Sequence, residues 1–99
     1  MGVTVSWGRF VWDDEKEAAN AQAHGVDFRT AARAFLDPRL ILVMDEKHSL
    51  EEPRWFCVGA VRDRILTVRF TYRGRQVRII GAGYWRKERK LYETQNAAR

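Results

Sequence analysis

Apolar positions keep a helical spacing in the first third of the chain and a strand-like spacing after it. Phe10-Val11-Trp12 is a short apolar run, read as a strand; the weak alternation from Val3 to Trp7 either extends it or frays. Asp13 and Asp14 then offer carboxylates to the free N–H groups of a first helical turn, and Glu15 and Glu17 suit the positive end of its dipole. Gly25 permits the left-handed conformation that stops a helix, so the pattern predicts a helix from about Asp14 to His24. Its alanines Ala18, Ala19, Ala21 and Ala23 would let a neighbouring element approach closely. Asp27 caps a second helix, in which Phe28, Ala31, Ala32 and Phe35 recur at i, i+3, i+4 and i+7 as a buried stripe. Pro38 disfavours the helical region at the residue before it and ends this helix near Leu36. The link between the helices is so short that a tight helical hairpin is expected.

The remainder reads mainly as strand. Leu40 to Met44 is a short apolar run, Asp45 to Pro53 a polar loop, and Trp55 to Val61 is apolar throughout, as in a central strand. Arg62-Asp63 is a turn; Ile65 to Tyr72 and Gln76 to Ile80 flank a hairpin turn at Arg73-Gly74. A loop centred on Arg73-Gly74 places Phe70 opposite Val77, Val68 opposite Ile79 and Arg69 opposite Arg78, while the Arg62-Asp63 turn sets Phe56 beside Arg69. Facing guanidiniums repel, so either an anion or a carboxylate of this chain belongs between them. Gly81-Ala82-Gly83 breaks the last strand, and a basic helix follows from about Arg86 to Gln95. The layout is α+β: a helical hairpin packed on an antiparallel sheet of about four strands, plus a C-terminal helix.

Composition narrows the setting. A length of 99 residues with 45 % hydrophobic content fits one folded domain with one modest core, about residues 10 to 93. The single cysteine, Cys57, lies in an apolar run and reads as a buried small hydrophobe rather than a nucleophile. No signal peptide or bilayer-length apolar stretch is visible, so a soluble, reducing, intracellular setting is expected. Charge is lopsided: seven Lys/Arg face ten Asp/Glu up to Val61, and eleven face three from Arg62 onward. A basic half of this kind points to a polyanion or an acidic partner protein, or serves only as a soluble surface.

One string carries more information than any of this: W-D-x-x-K-x-x-x-N-x-x-x-H-G, from Trp12 to Gly25. It puts Lys16, Asn20 and His24 four apart, along one helical face. A solvated polar face explains the same stripe. Further along stand Val26-Asp27-Phe28, Phe35-Leu36-Asp37-Pro38, Asp45-Glu46-Lys47-His48, Arg54-Trp55-Phe56 and Val77-Arg78-Ile79-Ile80. Together these segments resemble the BrnT family of bacterial toxins over nearly the whole chain. The resemblance implies a RelE-like fold and a cytoplasmic, metal-independent ribonuclease of a type II toxin–antitoxin pair. It implies a cognate BrnA-like antitoxin as partner, with a homodimer or a toxin–antitoxin heterotetramer as the assembly. Lys16, Asn20, His24, Arg54 and Arg78 match the family pattern. Where many relatives read Ser-Ala-Arg, this chain has Gly81-Ala82-Gly83, and Tyr84 and Arg86 are the nearest replacements.

RNA cleavage without a metal needs a base for the 2′-OH proton, an acid for the leaving 5′-oxygen, and cations for the charge gathering at phosphorus. Lys16, His48, Arg54, Arg78 and Tyr84 form the candidate catalytic set. Asn20, His24, Phe56, Arg69, Arg73, Arg86 and Lys87 are candidate RNA contacts. His48 follows Asp45 and Glu46 closely, and a nearby carboxylate can orient an imidazole, although a lone loop histidine is also a common surface residue. With two His, one Cys and no CxxC or HExxH, neither a zinc site nor any cofactor is expected. Gly81-Ala82-Gly83 precedes a helix, but Arg86 stands where a dinucleotide fingerprint has its last glycine; an anion nest or a tight turn remains. Two rival readings are a catalytically degenerate family member that binds nucleic acid or an antitoxin, and a protein-interaction module with a basic face.

Overall fold

Two hairpin turns build the centre of the sheet in the computed structural model, which describes residues 2–97. Strand β4 (Trp55–Val61), β5 (Arg64–Arg73) and β6 (Gln76–Gly83) pair antiparallel in sequence order. The first turn behaves as expected: Val61 pairs Arg64, and Phe56 faces Arg69. The second is displaced. Arg73 pairs Gln76, so the loop is Gly74-Arg75 rather than Arg73-Gly74. A two-residue hairpin loop can take its positive φ at the first central position, and Gly74 supplies it at 61°. Phe70 therefore faces Ile79, Tyr72 faces Val77 and Thr71 faces Arg78. A register shift at Arg69/Phe70 then leaves Ile80 unpaired, so Arg69 faces Gly81 and Val68 faces Ala82. The expected pairs Arg69–Arg78, Val68–Ile79 and Phe70–Val77 do not form. A slip of two residues preserves the alternation, so Arg69 and Arg78 still share one face, with Val68 and Ile79 on the other. Nor do the glycines break β6, which runs on to Gly83.

The sheet is larger than expected and mixed. Its order is β1-β2-β6-β5-β4-β3, six strands instead of about four. Strand β1 (Thr4–Trp7) folds back on β2 (Phe10–Asp13), and β2 lies parallel to β6 through Phe10–Val77 and Val11–Arg78. Strand β3 (Ile41–Met44) closes the other edge against β4. Parallel partners far apart in sequence share no turn, so nothing local announces them.

Helix α1 (Asp14–His24) has the expected bounds. Asp13 accepts from the N–H groups of Glu15 and Lys16, and Gly25 closes the helix at a φ of 70°. Helix α2 (Phe28–Arg33), capped by Asp27, continues as a 3-10 turn at Ala34–Leu36. The helices pack on β6 rather than forming the expected hairpin with each other. Helix α1 buries no residue, and its alanines are exposed rather than packed. Polar contacts hold the joint: Glu17 accepts from the Trp12 indole at 3.1 Å and from the Phe28 N–H at 2.8 Å.

The core lies between α2 and one sheet face, where Trp12, Phe28, Leu66, Val68, Phe70 and Ile79 are buried together. Each such side chain contributes roughly 1.5–3 kcal/mol through removal from water. Close approach is enforced at Gly59, where a Cβ would lie 2.3 Å from the Ala34 carbonyl oxygen. Helix α3 (Arg86–Ala97) packs on β4 and β5, over the face that carries Phe56, Val58, Thr67 and Arg69. Asp37 ties it down, accepting from the Ala60 N–H at 2.7 Å and from the Tyr92 hydroxyl. Burial raises the Asp37 carboxyl, but these donors and the Arg39 N–H outweigh it and hold the group below its ordinary value. Burial, then the Asp37 contact, push the Tyr92 phenol up to about 12.

Candidate active site

Asp45 follows directly on the end of β3 at Met44, and the loop it opens is held largely by its own backbone. The Asp45 N–H donates to the Arg54 carbonyl at 2.8 Å. Ser49 Oγ donates to the Asp45 carbonyl at 2.6 Å and accepts the Arg54 N–H at 2.9 Å. A 3-10 turn at Glu46–His48 then brings His48 back over Asp45, with Nδ1 2.9 Å from Asp45 Oδ2. The Asp45 side chain is only 6 % exposed, against 48 % for His48. The same oxygen lies 3.7 Å from Arg69 Nη2, so one buried carboxylate serves an imidazole and a guanidinium. A carboxylate of this chain, one of the two counter-charges expected, therefore stands beside Arg69.

His48, Phe56, Arg69, Trp85 and Glu88 line a cleft of about 200 Å³ above this pair. Lys87 joins His48, Phe56 and Glu88 in an adjoining cleft of about 330 Å³. Trp85 and Glu88 were not foreseen. The clue to Trp85 is Gly83: a Cβ there would lie 2.7 Å from the Trp85 ring, so the indole occupies the space that a larger residue 83 would need. The same indole meets the His24 imidazole edge to face, with centroids 5.4 Å apart.

The remaining candidates are scattered. Arg54 lines a third cleft with Lys47 and His48; its Nη2 is 4.0 Å from Glu52 and its buried Nε has no hydrogen-bond partner among the described residues. Arg73 is more exposed and pairs with Glu52 at 3.4 Å. Lys16 is exposed on α1. Asn20 points inward: Nδ2 donates to the carbonyls of Val26 and Ala82, each at 3.0 Å, and Oδ1 accepts the Ala82 N–H at 3.0 Å. Its amide thus pairs like a strand with the part of β6 that β2 does not reach. Arg78 sits between Thr71 and Val11 on the face of Arg69 and is not among the residues lining the His48 clefts. Tyr84 and Arg86 line a separate cleft with Arg64, and Trp85 is the wall common to that cleft and the one under His48. Burial pushes the Cys57 thiol up to about 12, which removes it as a nucleophile at neutral pH. Among the described residues no group of three or more His, Cys, Asp or Glu is placed to hold a metal ion.

A family model described as the ribonuclease toxin, BrnT, of type II toxin–antitoxin systems matches residues 12–88. The chain belongs to the BrnT family. The matched span runs from the end of β2 into the first turn of α3, so it contains Asp45, His48, Arg69, Trp85 and Glu88. Membership supports a ribonuclease toxin with an antitoxin as partner. No curated protein gives a significant match. No described helix of this BrnT-family chain is long and apolar enough to cross a membrane.

Proposed function

We propose that this BrnT-family chain is a cytoplasmic endoribonuclease that cleaves RNA without a metal ion at the His48 cleft and is silenced by a BrnA-like antitoxin. The observation that carries the reading is the buried Asp45 carboxylate, which orients His48 and stands beside Arg69 at the floor of a cleft with an aromatic wall. With Nδ1 held by Asp45, the other ring nitrogen, Nε2, is free to take the 2′-OH proton. The 2′-oxygen attacks phosphorus and the bond to the 5′-oxygen breaks, leaving a cyclic 2′,3′-phosphate and a 5′-hydroxyl. Asp45 balances the imidazolium, and Arg69 faces the charge that gathers on the phosphoryl oxygens. Lys87 and Glu88 on α3 form a further wall, from which the Lys87 ammonium gives the 5′-oxygen its proton. Phe56 and Trp85 offer flat faces to a base. Arg54 and Lys47 add positive charge at the rim, while Asn20 positions β6 rather than touching RNA.

The test is cleavage of single-stranded RNA in EDTA by wild type, His48→Ala, Arg69→Ala and Asp45→Asn. Loss of the proton-transfer group is expected to slow cleavage by about 10²–10⁴. Loss of the charge stabiliser is expected to cost about 10²–10³. RNA binding with no cleavage by the wild type would favour the degenerate reading; full activity in His48→Ala would move the chemistry elsewhere.

A further inference from the structure

Trp85 also lines a second cleft, of about 320 Å³, between the Arg62-Asp63 turn and the start of α3. Arg64, Arg86 and Arg89 line it with Tyr84, against the two carboxylates Asp63 and Glu93. No ion pair within 4.0 Å joins these arginines to a carboxylate among the described residues. The Arg64 guanidinium carbon stands over the Tyr84 ring, 3.5 Å from its centroid, close enough for the two planes to stack. Stacking occupies the faces of a guanidinium and leaves its in-plane N–H donors free, which is the arrangement that grips a phosphate with two parallel hydrogen bonds. Tyr84 also lines a further cleft of about 300 Å³ with Arg33, Arg62 and Arg64 and one carboxylate, Asp63. The positive lining thus continues past the ring.

We propose that the Arg64–Tyr84–Arg86–Arg89 cleft is a second phosphate-binding subsite, which holds a nucleotide of single-stranded RNA flanking the cleaved bond. The proposal rests on the ribonuclease reading of the His48 cleft. Trp85 is the hinge of the argument, because its indole walls both clefts and a strand crossing it passes from one to the other. Alternating guanidiniums and aromatic rings match alternating phosphates and bases of an unpaired strand. A duplex would keep its bases stacked and leave Tyr84 and Trp85 unused. An acidic protein segment would find the charge but has no use for the stacked ring.

The test uses the full chain and two variants, Arg64→Ala/Arg89→Ala and Arg89→Glu, whose melting curves confirm the fold. Affinity for a 2′-O-methyl oligouridylate, which lacks the attacking hydroxyl, is read by fluorescence anisotropy over a range of salt. The double variant is expected to bind about tenfold more weakly, with a salt slope shallower by about one. On a cleavable oligouridylate KM rises by a similar factor with kcat unchanged, and cleavage of a dinucleotide, too short to reach the subsite, is unaffected. Unchanged oligonucleotide affinity overturns the proposal, and so does an equal loss on dinucleotide and oligonucleotide. Loss of antitoxin binding with RNA affinity intact assigns the cleft to a protein partner and overturns it as well. Because the methylated probe cannot be cleaved, its binding reports on this subsite even if the assignment of His48 fails.

Discussion

Asn20 shows how a polar residue in a family motif can act through the fold. Its amide makes three hydrogen bonds to backbone, two of them to Ala82 on β6. Asn20→Ala leaves those groups without partners and is expected to cost about 2–3 kcal/mol, read from the shift in urea midpoint. Arg78 raises the opposite question. It matches the family pattern yet stands outside the residues that line the His48 clefts. Arg78→Ala is therefore expected to slow RNA cleavage less than Arg69→Ala does, in side-by-side assays at equal protein concentration. A larger loss in Arg78→Ala would shift the phosphate toward β2. Spacing alone could mark Asn20 and Arg78 as unusual, but it could not separate a group that ties strands from one that meets a ligand.

The end of β6 and the start of α3 act together as an element. At Gly81 an added Cβ would meet only Asn20 Oδ1, at 3.5 Å, an ordinary contact. At Gly83 it would enter the Trp85 ring. Gly81→Ser is thus expected to fold with near-normal stability, whereas Gly83→Ala displaces Trp85 and costs about 1–3 kcal/mol, measured by thermal melting. For that reason a combined Gly81→Ser/Gly83→Arg exchange is not a clean test of lost catalytic groups, since it also rebuilds the wall of the cleft. The far half of α3 hangs on Asp37 through the Tyr92 hydroxyl. Tyr92→Phe is expected to lose about 1.5–3 kcal/mol, the worth of a hydrogen bond to a charged acceptor.

Across the whole molecule, charge and pH act through the same few anchors. Asp37 has its folded-state pKa held down, and so does Asp27, chiefly by the Thr30 N–H. A depressed carboxylate contributes stability in full above its unfolded value, and that contribution is lost as pH falls through the folded value. Stability is therefore expected to decline below about pH 4, and Asp37→Asn should show a shallower acid limb in denaturation against pH. The formal net charge of +5, concentrated after Val61, should make RNA association fall steeply with salt. An antitoxin that silences the chain by covering this half should bind with a similar salt dependence.

Local chemistry determined the beginnings and ends of elements, because each such signal spans only a few residues. Asp13, Gly25, Asp27 and Pro38 marked the first two helices, and the alternation of β5 and β6 put Arg69 and Arg78 on one face both in the expected register and in the two-residue slip that forms. Contacts between distant residues were decided by the tertiary structure. Strand β2 joins β6 in parallel, the Gly74-Arg75 loop and the unpaired Ile80 together move Arg69 from Arg78 to Gly81, and the helices settle on the sheet instead of on each other. Period-two patterning fixes which face a side chain takes but cannot detect an extra residue in a partner strand. The site follows the same division. His48 and its carboxylate neighbour stand three residues apart and were legible together, whereas Arg69 reaches them through the pairing of β3, β4 and β5, and Trp85 and Glu88 only because α3 crosses the sheet face that Phe56 and Arg69 share.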